Sequence, residues 1–391
     1  MTQADIIATV KPLYLLSGLF GLLPVSFFSK DNHECLKHKI LYILWTIVWI
    51  FCVIALGYHL ASVSIDFQNR KIATFGIAFI LCVFTTYFTV IANLINNIAH
   101  RKNFPLIASK FVDLDKTLVP DNKIYRKERL CLLKELLIII VINAVFVVCK
   151  CWVYGSFSST NVAMRTAELV PYLIGMLTSI QLKTWFSKLK DRLKTINDML
   201  TMCIKHQQIN ITTTKSSILH QPYNQERLKT EKTMETIHNL RKTYVDLHET
   251  KQLVMSTYEI PSVCGVATCL VLCISGLFWG VKVIMSGKNQ NQAIYYLLMC
   301  AYDFSLFILV LLNCHLASEQ ANNIVMNIQK TITRNELPQE VVSELMVFVS
   351  LVRDLPFDST PCGLFTLNLS FLCSSVGVIV SYVVLLLQVN N

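Results

Sequence analysis

Apolar runs long enough to cross a membrane alternate along the chain with polar segments. A membrane-spanning helix needs about 20 mostly apolar residues, and seven runs of that order occur. They lie at residues 40–62, 72–98, 130–153, 162–186, 260–284, 293–316 and 363–389. The fourth run is the least apolar, because it contains Arg165, Glu168, Pro171 and Lys183. The pattern predicts an all-α membrane protein with seven transmembrane helices.

Helical spacing of apolar residues continues outside the seven runs. Residues 187–259 carry such positions on both sides of a polar stretch, beginning with Leu189, Leu193 and Ile196. Residues 317–362 hold two further amphipathic stretches. We therefore predict that these two segments extend the bundle beyond the membrane as a helical anchor.

This pattern divides the chain into five segments. Residues 1–186 hold an N-terminal amphipathic segment and transmembrane helices one to four, and residues 260–316 hold helices five and six. Residues 187–259 and 317–362 form the anchor between them, and residues 363–391 carry the last transmembrane helix. Within the N-terminal segment, the apolar stretch 13–28 is shorter than a span and is interrupted by glycine and proline. These features favour a helix lying on the membrane surface.

Composition and charge narrow the class of protein. Charged residues make up 15% of the chain, against about 25% in soluble proteins, and the mean hydropathy is +0.50. These values exclude a disordered chain and argue against a soluble enzyme. The net charge of +10 would indicate a nucleic-acid partner only if the basic residues clustered on a soluble face. Instead they follow the connections between spans, so the predicted partner is the lipid bilayer and not nucleic acid.

The distribution of basic residues predicts the orientation. Most Lys and Arg residues lie in 1–39, 99–129, 187–253 and 317–362, whereas the opposite connections hold only Arg70, Lys71 and Lys288. The positive-inside rule then places the N-terminus in the cytoplasm. Seven spans place the C-terminus outside, which is the reverse of a G-protein-coupled receptor.

Motifs for catalysis or cofactor binding do not emerge. The sequence has no phosphate-binding loop, no nucleophile elbow and no His-Glu-x-x-His zinc motif. His33, Glu34, Cys35 and His38 lack a complete four-ligand spacing. We therefore predict neither an enzyme nor a cofactor or metal.

Ionisable residues within the spans are the strongest candidates for function. A charge at the membrane centre costs at least about 2.5 kcal/mol, yet Asp303 lies in the middle of the sixth run and Glu168 lies in the fourth. Lys150 ends the third run and could pair with either acid. Such residues form an interhelical ion pair or meet a ligand, and the sequence leaves both readings open.

Aromatic residues surround these charges along the chain. Taken singly, each fits an interfacial belt or the core, but several beside a polar group also suit a small-molecule pocket. The candidate ligand-binding residues are Trp152, Glu168, Tyr172, Trp279, Tyr295, Tyr296 and Asp303.

The seventh run carries a stripe of small and weakly polar residues. Ser370, Ser374, Gly377, Ser381, Val384 and Gln388 recur at intervals of four and three. Such a stripe suits a helix that lines a water-filled path when symmetric copies enclose it, and close packing against a neighbouring helix is the alternative. The candidate pore and gate residues are Gly377, Ser381, Val384, Leu385 and Gln388.

The end of the chain resembles the insect gustatory receptors. Their signature is Thr-Tyr, five residues and Gln-Phe, and Ser381-Tyr382 is followed after five residues by Gln388-Val389. Residues 362–368 and 11–24 are also similar to the corresponding parts of that family. Ser381 and Val389 depart from the signature.

The resemblance implies a ligand-gated, non-selective cation channel in the plasma membrane. It implies four copies around a central pore, either of this chain alone or mixed with other gustatory receptor subunits, with Gln388 in the gate and a tastant pocket between spans two and six. Sugar receptors often have Glu where this chain has Val383, so bitter or plant secondary compounds are favoured as ligands. A fructose-type sugar receptor and a metabotropic seven-span chemoreceptor are the alternatives.

Overall fold

The computed structural model describes residues 3–22, 35–68, 73–118, 122–153, 159–216, 223–287, 290–334 and 337–389. Within these ranges the secondary structure is helical, and the all-α prediction is confirmed. The helices are α1 (Gln3–Leu19), α2 (Cys35–Gln68), α3 (Ala73–Ala99), α4 (Asn103–Leu118), α5 (Asn122–Val153), α6 (Ser159–Ser216), α7 (Tyr223–Met285), α8 (Gln290–Arg334), α9 (Gln339–Asp354) and α10 (Leu369–Val389).

Six of the described helices contain a segment long and apolar enough to cross a membrane. These segments are Ile40–Tyr58, Ile80–Ala99, Tyr125–Val153, Thr230–Met285, Gln290–Thr333 and Leu369–Val389. The fourth predicted span lies in α6, which is not among the six. Helix α6 packs against α3, α5, α7 and α8, and Lys183 forms an ion pair with Glu135 of α5. The polar side of α6 is thereby met by protein, and the chain is a multi-pass membrane protein.

The first helix overlaps the predicted apolar stretch and begins before it. Helix α1 covers Gln3–Leu19, and residues 23–28 of the stretch 13–28 lie outside the described residues. It ends in a turn where Gly21 has φ +73°, a conformation that favours glycine. Val10, Leu13 and Tyr14 are buried, and α1 packs against α4, α5 and α6. One face of α1 therefore belongs to the core of the bundle.

The sequence predicts only a basic connection at residues 99–129, where the structure has helix α4. Its apolar residues nevertheless follow helical spacing, and Phe104, Ile107 and Phe111 are fully buried. Trp185 of α6 stacks on Phe111 with ring centroids 5.3 Å apart. The connection between the second and third predicted spans is thus an integral part of the core.

Three helices run on without interruption past the apolar segments. Helices α6, α7 and α8 have 58, 63 and 45 residues. At 1.5 Å per residue, α7 is roughly 95 Å long, about three times the thickness of a hydrocarbon core. Their continuations and α9 share one apolar core, in which the fully buried members are Leu189, Leu193, Ile196, Ile237, Tyr244, Leu247, Ala317, Ile324, Ile328, Val341, Leu345 and Phe348.

A buried ionic cluster joins α4, α5 and α6 where the long extensions begin. The Arg192 guanidinium donates to both carboxylate oxygens of Asp115, at 2.9 and 3.0 Å, and to Glu128 at 2.7 Å. Lys188 pairs with Glu128, and the Tyr125 hydroxyl donates to Asp115. Burial alone would lower the pKa of Arg192, but the bonds to Asp115 and the charge of Glu128 raise it. Arg192 therefore stays charged and holds the three helices together.

Candidate ligand cavities and pore-facing helix

Two adjoining cavities lie between the helices of the bundle. We call them the hydroxyl cavity, lined by residues including Thr86, Thr89, Asn93, Gly175, Ser262, Gly265 and Thr268, and the aromatic cavity, lined by residues including Cys82, Lys150, Trp279, Tyr295, Tyr296 and Met299. Tyr172, Leu272 and Asp303 line both. Their volumes are about 130 and 180 Å³, many times the roughly 10–15 Å³ that one water requires. Both have room for parts of a small organic molecule.

The hydroxyl cavity combines small side chains with polar groups. The Thr89 and Thr268 hydroxyls lie 2.6 Å apart and join α3 to α7. The side-chain oxygen of Asn93 is buried and has no hydrogen-bond partner among the described residues. A Cβ atom built on Gly175 or Gly265 would meet nothing within 4 Å. The absence of side chains at these two positions therefore keeps part of the cavity open.

The aromatic cavity contains three contiguous rings. Trp279 and Tyr296 have ring centroids 5.3 Å apart, and Tyr295 and Tyr296 have centroids 5.8 Å apart. Tyr295 also packs against Phe146. In all three pairs the two rings are close to edge-to-face. Edge-to-face packing orients one ring against the face of the next, so the three rings form one continuous aromatic wall.

Asp303 stands at the junction of the two cavities. Its backbone carbonyl accepts a hydrogen bond from Cys269 Sγ at 3.9 Å. Among the described residues, no hydrogen bond or ion pair to its carboxylate is formed. Lys150 lines the aromatic cavity as well, so both signs of charge are present there.

The structure brings together five of the seven sequence candidates for ligand binding. Tyr172, Trp279, Tyr295, Tyr296 and Asp303 line the aromatic cavity. Trp152 lines neither cavity, and its side chain is 60% exposed. The side chain of Glu168 lies outside the described residues.

Sequence reasoning missed the polar wall that α3 contributes. Thr86, Thr89 and Asn93 follow one another at intervals of three and four, which places them on one face of α3. All three are buried. The signal that could have revealed them is this polar stripe within an otherwise apolar run.

Helix α10 presents the predicted seam to the outside of the chain. Ser375, Ile379 and Val383 are its buried residues, and the helix packs against α7 and α8. The predicted pore residues are all exposed on this helix. They are Gly377, Ser381, Val384, Leu385 and Gln388. No described segment of this chain covers them.

The start of α10 is fixed by its own sequence. A 3-10 turn at Pro361–Gly363 precedes the helix, and Gly363 has φ +68° there. The Asn368 side-chain oxygen then accepts a hydrogen bond from the backbone N–H of Phe371 at 2.9 Å. This bond satisfies a free donor in the first turn of the helix. Residues 361–368 thereby set the direction in which α10 leaves the bundle.

The chain is similar to known proteins in both sequence and fold. A family model described as "7tm Chemosensory receptor" matches residues 10–390. No curated protein matches the chain by direct sequence comparison.

The fold is similar to solved structures of an insect olfactory receptor. The receptor OR5 from Machilis hrabei in complex with eugenol has a TM-score of 0.64 at 14% sequence identity. A second structure of the same receptor, without a named ligand, has a TM-score of 0.60 at 15% identity. In both cases 97% of this chain and 97% of the other chain are covered.

Proposed function

The chain belongs to the 7tm chemosensory receptor family, and on that premise we propose that it is a gustatory receptor that acts as a ligand-gated, non-selective cation channel. The observation that carries the proposal is the exposed seam of α10. Its small and polar residues face away from the chain's own bundle, where further copies could cover them. The family is one of receptors rather than enzymes, so the cavities are read as binding sites.

Four copies would enclose the path that one seam cannot. The interior of such an assembly needs residues that tolerate water, and Ser370, Ser374, Ser381 and Gln388 supply hydroxyl and amide groups on the exposed side. In this arrangement Gln388 forms part of the gate. The extensions of α6, α7 and α8, together with α9, would pack against those of neighbouring copies and hold the subunits in register. Other gustatory receptor subunits could take part in the same assembly.

The two cavities would be the ligand site. Helices α7 and α8 line both cavities and also carry α10. A ligand that changes the spacing of α7 and α8 therefore acts on the pore helix directly. The related fold of OR5 is described in complex with eugenol, a small aromatic molecule, and an aromatic wall of this kind suits ring-containing ligands.

Ligand class is proposed as bitter or plant secondary compounds. Three aromatic rings and the apolar residues around them favour a ligand with an apolar ring system. A fructose-type sugar is the second candidate, because the hydroxyl cavity offers Thr86, Thr89 and Asn93 to a polyol. Carbohydrate rings also stack on aromatic faces, so both candidates belong in the same panel.

The test is current in excised patches from cells that express only this chain. The panel contains fructose, glucose and sucrose on one side, and plant alkaloids, glucosinolates and steroids on the other. We expect a ligand-evoked cation current without added nucleotide, and the active compound identifies the ligand class. Untransfected cells are the control for endogenous channels.

A metabotropic receptor would behave differently in the same patches. Its response would disappear on excision and return when GTP and the missing cytosolic components are supplied. Silence across the panel, with surface expression confirmed by labelling, would contradict a channel that works as a homomer.

A further inference from the structure

The carboxylate of Asp303 is the polar group of the two cavities that most requires a partner. It lies in a helix that crosses the membrane, where a charge is costly unless it is paired. Its side chain is half-buried and borders both cavities. Within the part of the chain that the structure describes, no donor or cation is bound to it. An anionic group in this position attracts a cation or a strong hydrogen-bond donor.

The aromatic rings that share a cavity with this carboxylate suit a cation. Trp279, Tyr295 and Tyr296 line the aromatic cavity together with Asp303. Aromatic faces attract ammonium groups because of their quadrupole, with Trp the most favourable ring. A carboxylate beside several aromatic rings is therefore a site at which an ammonium group can exchange its water shell for protein contacts.

The other charged group of the same cavity limits the charge of the ligand. Lys150 lines the aromatic cavity from α5, and its ammonium repels a second positive charge. A ligand with one cationic group can place that group at Asp303 and keep its remaining atoms apolar. A dication would bring a charge towards Lys150.

The hydroxyl cavity offers space for the remainder of such a molecule. Asp303 lines this cavity as well, and Gly175 and Gly265 leave its walls open. A flat or flexible apolar body attached to the ammonium group can occupy this space, with its edge near Thr89 and Thr268.

We propose that this receptor recognises organic monoamines, with the protonated amine paired to Asp303 and the aromatic rings of Trp279, Tyr295 and Tyr296 around it. The inference rests on the proposed function of the cavities as the ligand site. It makes Asp303 a specificity-determining residue, because only a charged ligand uses its carboxylate fully.

Matched ligand pairs test the charge preference without any mutation. Tryptamine and tryptophol share an indole ring and a two-carbon arm, but one ends in an ammonium group at pH 7 and the other in a hydroxyl. Phenethylamine and 2-phenylethanol form a second pair, and fructose represents the neutral polyols. Binding to the purified full chain in lipid nanodiscs is measured by ligand-observed NMR titration. We expect each amine to bind at least about tenfold more tightly than its alcohol.

The variant Asp303→Asn tests the assigned residue, because it removes the charge and keeps the size of the side chain. We expect the amine-to-alcohol ratio to fall to about one, while the alcohols keep their affinity within about threefold. Asp113→Asn is the matched control, since Asp113 is an exposed acid of α4 paired with Lys116, and it should leave the ratio unchanged. Asp303→Glu keeps the charge and should keep a preference for the amine.

Several results would overturn the inference. They are alcohols or fructose binding as tightly as the amines, no binding of any amine, or a ratio that persists in Asp303→Asn. If Asp303→Asn fails to fold, the wild-type ratio and Asp303→Glu still decide the matter. If neutral compounds open the channel and the amine-to-alcohol ratio is near one, the amine proposal is overturned but the proposed function stands. If the ratio is tenfold but no compound evokes a current, the amine site stands and the proposed channel function is overturned.

Discussion

Arg192 and Asp303 are both charged side chains set among packed helices, and they differ in how their charge is met. Arg192 is bound by the carboxylates of Asp115 and Glu128, so its donors are used within the chain. The carboxylate of Asp303 has no such partner among the described residues and borders the two cavities. The first arrangement stabilises the fold, and the second is the charge that we propose a ligand meets.

Removing the cation of the ionic cluster should destabilise the protein strongly. Arg192→Met leaves the buried carboxylate of Asp115 without its cation and leaves Glu128 with Lys188 alone, and loss of one partner from such a cluster costs about 3–5 kcal/mol. Thermal unfolding of the purified full chain in detergent measures the effect. The matched control is Lys116→Met, which breaks an exposed pair with Asp113 and should cost no more than about 1 kcal/mol. Equal shifts in Tm for the two variants would contradict the stabilising role of the cluster.

Filling the hydroxyl cavity should impair ligand response without harming the fold. Gly265→Leu adds a side chain where the structure has open space, and leucine also favours the helix by up to about 1 kcal/mol over glycine. We expect at least a tenfold loss of potency for the compound that is active in the patch panel, with normal surface expression. Gly265→Ala adds one methyl group and should act more weakly. Unchanged potency in Gly265→Leu would show that the ligand does not enter this cavity.

At the scale of single elements, α10 is a helix with two unlike faces. Ser375, Ile379 and Val383 repeat every four residues and pack on the chain's own bundle. Gly377, Ser381, Val384 and Gln388 lie on the exposed side at intervals of four and three. The buried face fixes the rotation of the helix, and that rotation determines which residues face a neighbouring copy.

The amide at the end of this helix should affect permeation. Gln388→Ala removes a polar group from the exposed seam, so we expect a change in single-channel conductance, ion selectivity or basal opening. Val376→Ala is the control, because Val376 is also exposed on α10 but lies off the seam. Currents of Gln388→Ala that match the wild type, at equal surface expression, would remove Gln388 from the gate.

Much of the helical architecture could be predicted from the sequence, because apolar runs of membrane length leave few alternatives. The family resemblance at residues 381–389 was likewise visible in the sequence and is confirmed by the match over residues 10–390. Helix α4 was not predicted, although Phe104, Ile107 and Phe111 follow helical spacing. Its basic residues fit a polar connection on the cytoplasmic side of the membrane equally well. The start of α1 at Gln3 was not predicted, because residues 3–12 precede the apolar stretch 13–28 from which the helix was inferred.

The composition of the cavities was only partly accessible from the sequence. Tyr172, Trp279 and Asp303 stood out as aromatic or charged residues within spans, and they do share one cavity. Trp152 met the same criterion but lines neither cavity. The sequence alone does not show which face of α5 meets the bundle, so this residue could not be told apart from the others. Thr86 and Thr89 did not stand out, since threonine is common in apolar helices as a packed residue.

At the scale of the whole molecule, orientation in the membrane separates the competing functions. Basic residues dominate the connections that should face the cytoplasm, so we expect an N-terminal tag to be labelled only in permeabilised cells and a C-terminal tag also in intact cells. Antibody labelling of doubly tagged protein measures both ends at once, and each end is the control for the other. A C-terminal tag that is inaccessible in intact cells would contradict the channel arrangement and restore the metabotropic alternative.

Helices α6, α7 and α8 each contribute one stretch to the cavities and a different stretch to the core of the extensions. Tyr172, Leu272 and Asp303 lie at the cavities, whereas Leu193, Tyr244 and Ile324 lie in the extension core of the same three helices. Under the proposed function, mutations that change what the receptor detects therefore fall in a different stretch of each helix from those that change the extensions through which copies would pack. Duplicated copies of such a gene would then diverge in chemical specificity while they retain the same extensions. On that proposal, a lineage enlarges its range of ligands one substitution at a time without first evolving a new mode of oligomerisation.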